Sequence, residues 1–395
     1  MLTALLVIIY VSFISLGLPD SLLGSAWPAI HLDLGVPLSF AGVISMIISC
    51  GTVISSLLST RVIRRFGTGR TTLCSVAMTA AALLGFSCSR SVVWFCLLAV
   101  PLGLGAGSVD AALNNFVALH YAARHMSWLH CFWGIGATAG PVVMALWIAR
   151  DNNWPAGYLT IGVFQWVLVG VLVLTLPLWK RVEGLREETQ EEVRGQDLSL
   201  TKALSLPGAK AALIGFFCYS GVETVTNLWA SSYAVSGYGV SEDTAAGWSS
   251  LFFLGITLGR LASGFLTLKL STKRLIRLGE ALIALGCVIL LLPLPVWKIP
   301  VALCFVGGGC APIFPSMLHR TPKVFGEVFS QSMMGMQMAC SYTGATLLPP
   351  LFGGLSGVAG MWLFPLFLLV FLALMFLGNQ RVRSEGRQAS SQKEA

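Results

Sequence analysis

Three acidic residues stand inside long apolar stretches of this sequence, where ionisable side chains are rare. They are Asp20, Asp110 and Glu223. An ionised carboxylate at the centre of a bilayer costs about 2.5–3.5 kcal/mol, so it must face a water-filled cavity or a partner. A neutral acid that hydrogen-bonds a neighbouring helix would satisfy the same constraint. The three acids are the first candidates for ion or substrate binding.

Further polar side chains share the helix faces of these acids. Helical steps of three and four residues align Asn114 with Asp110 and Asn227 with Glu223. Carboxyl, amide and indole groups can hydrogen-bond hydroxyl groups, and an aromatic ring can cover the apolar C–H face of a sugar. The substrate-binding candidates are Asp20, Trp27, Asn114, Asn115, His130, Trp133, Glu223, Asn227, Trp229 and Gln337.

Reversible proton binding is a second chemistry that buried acids can perform. A carboxyl group removed from water binds a proton more readily, and histidine titrates near neutral pH. We expect Asp110 to couple a proton to the solute, with Asp20 binding solute hydroxyl groups and sharing the proton. The proton-coupling candidates are Asp110, Asp20, Glu223 and His130. A structural role for His130, with its ring hydrogen-bonded inside the protein, fits the sequence equally well.

Apolar stretches of about 20 residues position these side chains. Of 395 residues, 55% are hydrophobic and 11% are charged, whereas about 25% are charged in an ordinary soluble domain. A helix of about 20 residues crosses a hydrocarbon layer of about 30 Å and satisfies its main-chain polar groups internally. We predict spans near 2–29, 37–60, 71–88, 92–121, 125–149, 155–179, 209–236, 244–268, 275–296, 299–319, 327–355 and 360–379.

The basic residues indicate how these spans are oriented. Lys and Arg concentrate in the even-numbered loops and the tail, whereas the odd-numbered loops hold only Arg90, Arg150 and Lys298. Cytoplasmic loops of membrane proteins are enriched in basic residues. We therefore predict a multi-pass protein of the plasma (inner) membrane with both termini in the cytoplasm. The net charge of +8 reflects this topology, and we expect no nucleic-acid partner.

Two halves of the sequence resemble each other. Gly136-Ala-Thr in one half corresponds to Gly344-Ala-Thr in the other, and a glycine-rich run at Gly103 corresponds to one at Gly307. We predict an all-α membrane protein with twelve transmembrane helices in two pseudo-symmetric six-helix bundles. Repeated halves are typical of carriers that work by alternating access. The predicted domains are bundles at 1–179 and 209–380, a cytoplasmic linker at 180–208 and a cytoplasmic tail at 381–395.

Several segments resemble one known family of carriers. They include Pro19-Asp-Ser-Leu-Leu23, Asp110-Ala-Ala-Leu-Asn-Asn-Phe-Val117 and Leu129-His-Cys-Phe-Trp-Gly-Ile-Gly136. On these residues the chain resembles the major facilitator superfamily, and within it the fucose–proton symporter-like sugar transporters. The resemblance implies the major facilitator fold. It also implies that the acids at Asp20 and Asp110 serve substrate binding and proton coupling.

The resemblance also implies residues that act in gating. In the superfamily an Asp precedes Arg-x-Gly in the loop between the second and third spans, whereas this sequence reads Arg64-Arg65-Phe66-Gly67. Any latch that uses that Asp must therefore work differently here. Gly259-Arg260 in the eighth span also looks like the family. The gating candidates are Arg64, Arg65, Gly67 and Arg260.

Together these features predict a secondary active transporter that moves a small polar solute, with a sugar as first choice, by proton-coupled symport with alternating access. Export of drugs or of another metabolite on the same fold, and sodium-coupled sugar uptake, are the alternatives. No nucleophile–base pair or metal-ligand spacing stands out, so we expect neither an enzyme nor a cofactor nor a metal site. The expected partners are the sugar, a proton and membrane lipid, and the protein is expected to act as a monomer.

Overall fold

The fold is helical wherever the structure describes the chain. A computed structural model describes residues 2–121, 123–184, 204–267 and 269–394. In these ranges there are thirteen α-helices, 3-10 helices at Leu38–Phe40 and Met361–Leu363, and no strand. In chain order the α-helices are α1 (Leu2–Asp20), α2 (Leu22–Asp33), α3 (Ala41–Phe66), α4 (Thr68–Cys88), α5 (Val92–His120), α6 (Ala123–Ile148), α7 (Trp154–Gly184), α8 (Ala209–Tyr238), α9 (Glu242–Leu266), α10 (Thr272–Leu291), α11 (Lys298–Phe325), α12 (Glu327–Ala359) and α13 (Phe364–Glu394).

Each predicted span coincides with one of these helices, and the first coincides with the pair α1 and α2. The prediction of an all-α protein is therefore confirmed. Among the described residues, nine helical segments are long and apolar enough to cross a membrane. The helices outside that set are α8, α10 and α12. Polar residues lower their hydropathy, for example Glu223 in α8, Arg277 in α10 and Gln337 in α12.

Contacts divide the chain into two compact units. The first unit comprises Met1–Glu192 and Ala230–Phe253, and the second comprises Val193–Trp229 and Leu254–Ala395. Within the first unit, α1 packs against α6, α3 against α5, and α4 against both α5 and α7. Within the second, α11 packs against α10 and α12, and α10 also packs against α13. Most of the linker predicted at 180–208 lies outside the described residues, so the predicted domain limits stay a prediction.

Corresponding glycines allow two helices to cross closely in each unit. A Cβ atom on Gly136 of α6 would overlap the carbonyl oxygen of Ile14 in α1. A Cβ atom on Gly344 of α12 would overlap the carbonyl oxygen of Phe217 in α8 in the same way. Small residues let membrane helices approach until their backbones touch. The same crossing therefore occurs in both units, as duplicated halves require.

The first prediction concerns this crossing. We expect Gly136→Ala to lower the free energy of unfolding by about 1–3 kcal/mol, because the new methyl group has no room beside the Ile14 carbonyl. Gly170→Ala in α7 is the matched control, since beyond the neighbouring backbone of its own helix no described atom lies within 4 Å of a Cβ at that position. The measurement is thermal unfolding of the purified proteins in detergent. Equal melting temperatures for the two variants would contradict the close crossing.

Candidate functional site

The first transmembrane segment is interrupted beside Asp20. α1 ends at Asp20 and α2 begins at Leu22, and Pro19 lacks the N–H that would bond the Ser15 carbonyl one turn earlier. The Nε2 group of Gln165 in α7 donates to that carbonyl oxygen at 2.7 Å, and the Gln165 side chain is buried. Gln165 thus replaces the hydrogen bond that the proline removes. Gln165 is not among the site residues predicted from the sequence, although an amide in an otherwise apolar span is a signal of such a role.

Trp133 of α6 holds the carboxylate of Asp20. Its indole Nε1–H donates to Asp20 Oδ2 at 2.8 Å, and Asp20 itself is exposed. α6 reaches this position because it crosses α1 at Gly17, where a Cβ atom would overlap the Trp133 carbonyl oxygen. The Trp133 ring also meets Phe253 edge-on, with ring centroids 6.2 Å apart. Two predicted site residues, Asp20 and Trp133, are therefore in direct contact.

Asp110 is held by the amide of Asn114, which lies one turn later in α5. Asn114 Nδ2 donates to Asp110 Oδ1 at 2.8 Å and to the Asp110 main-chain carbonyl at 3.0 Å. The carboxyl groups of Asp110 and Asp20 are close enough for their charges to interact. Asn114 Oδ1 is buried and has no hydrogen-bond partner among the described residues, whereas nearly all buried polar atoms have one. A hydrogen-bond acceptor is thus available beside Asp110.

His130 lies on α6, about one turn before Trp133. It is partly buried, and its ring meets Phe13 of α1 edge-on with centroids 6.0 Å apart. The histidine therefore lies where α6 packs against α1, the two helices that carry Trp133 and Asp20. Its proposed part in proton coupling and its structural alternative both stay predictions.

Glu223, Tyr219 and Arg260 form a second polar cluster, within the second compact unit. The Tyr219 hydroxyl donates to the Glu223 carboxylate, and the Arg260 guanidinium interacts with it electrostatically. Tyr219 and Glu223 lie one turn apart on α8, whereas Arg260 comes from α9. Asn227, one turn further along α8, is partly buried. Arg260, a gating candidate, thus lies beside an acid that is a coupling candidate.

Trp27, Trp229 and Gln337 are buried and bonded inside the protein. Trp27 and Trp229 are both 0% exposed, and Gln337 is 1% exposed. The indole N–H groups donate to the carbonyl oxygens of Leu38 at 2.6 Å and Pro349 at 3.0 Å, and Gln337 accepts from a neighbouring threonine at 2.9 Å. Packing and hydrogen bonds within the protein already engage these side chains, and their part in substrate binding stays a prediction.

The turn between α3 and α4 carries the remaining gating candidates. Gly67 has a φ of 79°, in the left-handed region that favours glycine, and it separates the two helices. Arg65 is exposed, and its guanidinium carbon lies 5.6 Å from the centroid of the Phe66 ring. The side chains of Arg64 and Asn115, predicted for gating and substrate binding, lie outside the described part of the structure. A gating role for this turn stays a prediction.

The second prediction concerns the pair of Glu223 and Arg260. Removing Arg260 alone takes away the cation that balances Glu223, so we expect Arg260→Met to destabilise the protein more than the double variant Glu223→Gln/Arg260→Met. A coupling free energy of about 0.5–3 kcal/mol is expected between the two sites. Thermal unfolding of the parent protein, both single variants and the double variant measures it. Strictly additive effects would show that the two charges are energetically independent.

Three known proteins resemble this sequence at low identity. Bypass of stop codon protein 6 from Saccharomyces cerevisiae is 22% identical over 404 residues, which cover 93% of this chain and 80% of that protein. The glucose/mannose transporter GlcP of Bacillus subtilis is 27% identical over 244 residues, which cover 60% of this chain and 58% of GlcP. The cis,cis-muconate transport protein of Acinetobacter baylyi is 23% identical over 244 residues, which cover 59% of this chain and 58% of that protein.

Solved transporter structures share the fold over nearly the whole chain. The nucleoside transporter NupG aligns with a TM-score of 0.75 at 14% identity, over 96% of this chain and 98% of NupG. A bacterial homolog of the human lysosomal transporter Spinster aligns with a TM-score of 0.74 at 12% identity, over 97% of this chain and 98% of the homolog. Identities this low show the fold alone. The predicted major facilitator fold is thereby confirmed.

A family model agrees with the structural comparison. The model described as Major Facilitator Superfamily matches residues 9–244 and 212–395, so that its two matches extend over most of the chain. The narrower resemblance to fucose–proton symporters is not shown by these matches and stays a prediction. The chain belongs to the Major Facilitator Superfamily.

Proposed function

We propose that this multi-pass membrane transporter carries a sugar together with a proton, by alternating access. The observation that carries the proposal is the carboxylate of Asp20, an exposed residue, which the Trp133 N–H holds at 2.8 Å and which interacts electrostatically with Asp110. Carboxylate oxygens accept hydrogen bonds from hydroxyl groups, and interacting acids can bind and release a proton. One cluster therefore offers both chemistries that sugar–proton symport requires.

A sugar would use the hydrogen-bonding groups around the two acids. Its hydroxyl groups would donate to the Asp20 carboxylate and to Asn114 Oδ1, which has no partner among the described residues. The Trp133 ring would cover an apolar C–H face of the sugar. The relative GlcP is a glucose/mannose transporter, which supports a sugar as the solute. A fucose-like sugar would meet the same groups.

The two acids would take different parts in coupling. Asp110, held by Asn114 at 2.8 Å, would accept the proton on the outer side. Its neutralisation would remove the repulsion toward Asp20, so that Asp20 could stay charged and bind solute hydroxyl groups. Proton release to the cytoplasm would restore the repulsion and weaken solute binding. Glu223, whose charge Arg260 balances, is assigned to solute binding rather than to the proton.

We also propose a location and an orientation for the transporter. The transporter would act as a monomer in the inner membrane. Both of its termini would lie in the cytoplasm, because its basic residues concentrate in the even-numbered loops and the tail. Its six-helix bundles at 1–179 and 209–380 would be joined by the cytoplasmic linker at 180–208 and followed by the tail at 381–395.

Transport of another metabolite is the second candidate. One relative is a cis,cis-muconate transport protein, and muconate is an organic anion. Arg260 beside Glu223 is a cation that the carboxylate of such a solute could approach. In sodium-coupled sugar uptake, the carboxylates of Asp20 and Asp110 would be ligands of the sodium ion. In drug export, these carboxylates would have no solute hydroxyl groups to bind.

Counterflow in proteoliposomes separates these candidates. Vesicles loaded with one unlabelled solute from a panel of sugars and muconate are diluted into buffer with a trace of the same labelled solute, with and without a pH gradient or a sodium gradient. We expect counterflow with a sugar and accumulation only when the outside is more acidic. Counterflow with muconate alone would favour the second candidate, and accumulation on a sodium gradient alone would overturn proton coupling.

The third prediction assigns the proton to Asp110. Asp110→Asn keeps the shape of the side chain but cannot bind a coupling proton, so uphill accumulation should be lost while counterflow of the sugar continues. Asp151→Asn is the matched control, because Asp151 is exposed and lies between α6 and α7. The measurement is uptake in vesicles with an acidic exterior. Accumulation at the parent level in the Asp110 variant would sink the assignment.

The fourth prediction tests the contact between Trp133 and Asp20. Trp133→Phe keeps an aromatic ring but removes the N–H that holds the carboxylate at 2.8 Å, so the half-saturating sugar concentration should rise roughly 10-fold, as expected for loss of a hydrogen bond to a charged group. Trp128→Phe on the same helix is the control, since Trp128 is 51% exposed. An unchanged half-saturating concentration in the Trp133 variant would contradict the role of this contact.

A further inference from the structure

A basic cavity lies within the second compact unit, apart from the polar clusters described above. It has a volume of about 230 Å³ and opens where α10 begins, α11 ends and the C-terminal half of α13 passes. Four basic side chains line it: Lys273 and Arg277 from α10, and Arg320 and Lys323 from α11. Among the described residues that line this cavity, Glu280 is the one acid. The lining therefore carries a strong excess of positive charge.

The charge of Glu280 is engaged on the inner wall of the cavity. Asn379 Nδ2 donates to Glu280 Oε1 at 2.8 Å, and Arg320 Nη2 donates to Asn379 Oδ1 at 2.8 Å. Glu280 and Asn379 are both buried. The guanidinium groups of Arg320 and Arg277 also interact electrostatically with the Glu280 carboxylate. The acid thus belongs to a bonded chain of three side chains and positions Arg320.

The outer wall carries cations that this chain of hydrogen bonds does not use. Arg277 and Lys323 are exposed and line the cavity from two different helices. Arginine presents a planar set of donors that fits phosphate, and lysine adds a mobile point charge. A ligand that bears a phosphate group would therefore find complementary charge and donors from both sides.

The position of the cavity favours a lipid as the source of that phosphate. Arg320 and Lys323 lie in the last turns of α11, and Lys273 lies in the first turn of α10, so the basic groups stand at helix ends, where headgroups lie in a membrane. Apolar side chains beside the lining residues face outward, as shown by Leu278, 38% exposed, and Leu377, 58% exposed. Acyl chains could cover these side chains while the headgroup occupies the cavity.

We propose that this cavity binds the phosphate headgroup of an anionic phospholipid. The site is independent of the solute site, because none of its lining residues belongs to the clusters of Asp20 or Glu223. Lipid binding would join the start of α10 to the end of α11 and to α13. Anionic lipid should therefore stabilise the folded protein, and salt should weaken the effect by screening the charges.

Titration of the full-length protein with phosphatidylglycerol tests the proposal. The protein in neutral detergent is titrated with this lipid, with phosphatidylcholine or with inorganic phosphate, and its melting temperature is recorded. The test variant is Arg277→Gln/Lys323→Gln, which leaves the buried chain of hydrogen bonds intact. The matched control is Lys269→Gln/Arg274→Gln, which removes two exposed basic side chains near the same end of α10 that do not line the cavity.

We expect phosphatidylglycerol to raise the melting temperature of the parent and of the control variant. The Arg277→Gln/Lys323→Gln variant should require roughly 30-fold more lipid for the same effect, as expected from the loss of two basic groups near a membrane surface. A cooperative unfolding transition of this variant without lipid shows that it folds. Equal responses of the two double variants would overturn the site, and an equal response to inorganic phosphate would overturn the lipid as its ligand.

Discussion

A main-chain carbonyl group inside a membrane must find its hydrogen bond within the protein, and the break after Asp20 depends on this constraint. Pro19 cannot bond the Ser15 carbonyl, and Gln165 donates to it instead at 2.7 Å. Gln165 in turn accepts from Thr79 at 2.9 Å, so α1, α4 and α7 are joined at one point. A carbonyl left unsatisfied here would cost several kcal/mol. Asp20 stands at the end of α1, one turn after this carbonyl, and is an exposed residue.

Close helix crossings then decide which side chains can meet that carboxylate. Gly17 admits the backbone of α6 at Trp133, and this approach brings the indole within 2.8 Å of Asp20. In the second unit Gly344 lies against Phe217, as Gly136 lies against Ile14 in the first. The two units thus share a backbone arrangement while their polar groups differ. Duplication explains this pattern, because a crossing without room for side chains tolerates little change, whereas a polar group beside it can vary.

The polar clusters differ in the kind of group that contacts each acid. Asp20 and Asp110 accept hydrogen bonds from neutral donors, whereas Glu223 and Glu280 interact with arginines. An arginine favours the ionised carboxylate, whereas a neutral donor leaves more freedom for proton exchange. This contrast is the physical reason for proposing the coupling proton at Asp110 rather than at either glutamate.

The apolar stretches already predict the helices and the acids inside them, because lipid admits only long apolar helices and an acid inside one of them stands out. It also showed the duplication, since the glycines that permit close crossings recur in the same order in both halves. The partners of each acid were decided by the tertiary structure, because Trp133 lies 113 residues from Asp20 along the chain. Helical spacing identifies the face on which a residue lies but not what that face meets. Spacing therefore does not show that the predicted sugar-binding residues Trp27 and Trp229 donate to main-chain carbonyl oxygens. It also does not show the bond between Gln165 and Ser15 or the basic cavity, because both arise from contacts between helices that are distant in the sequence.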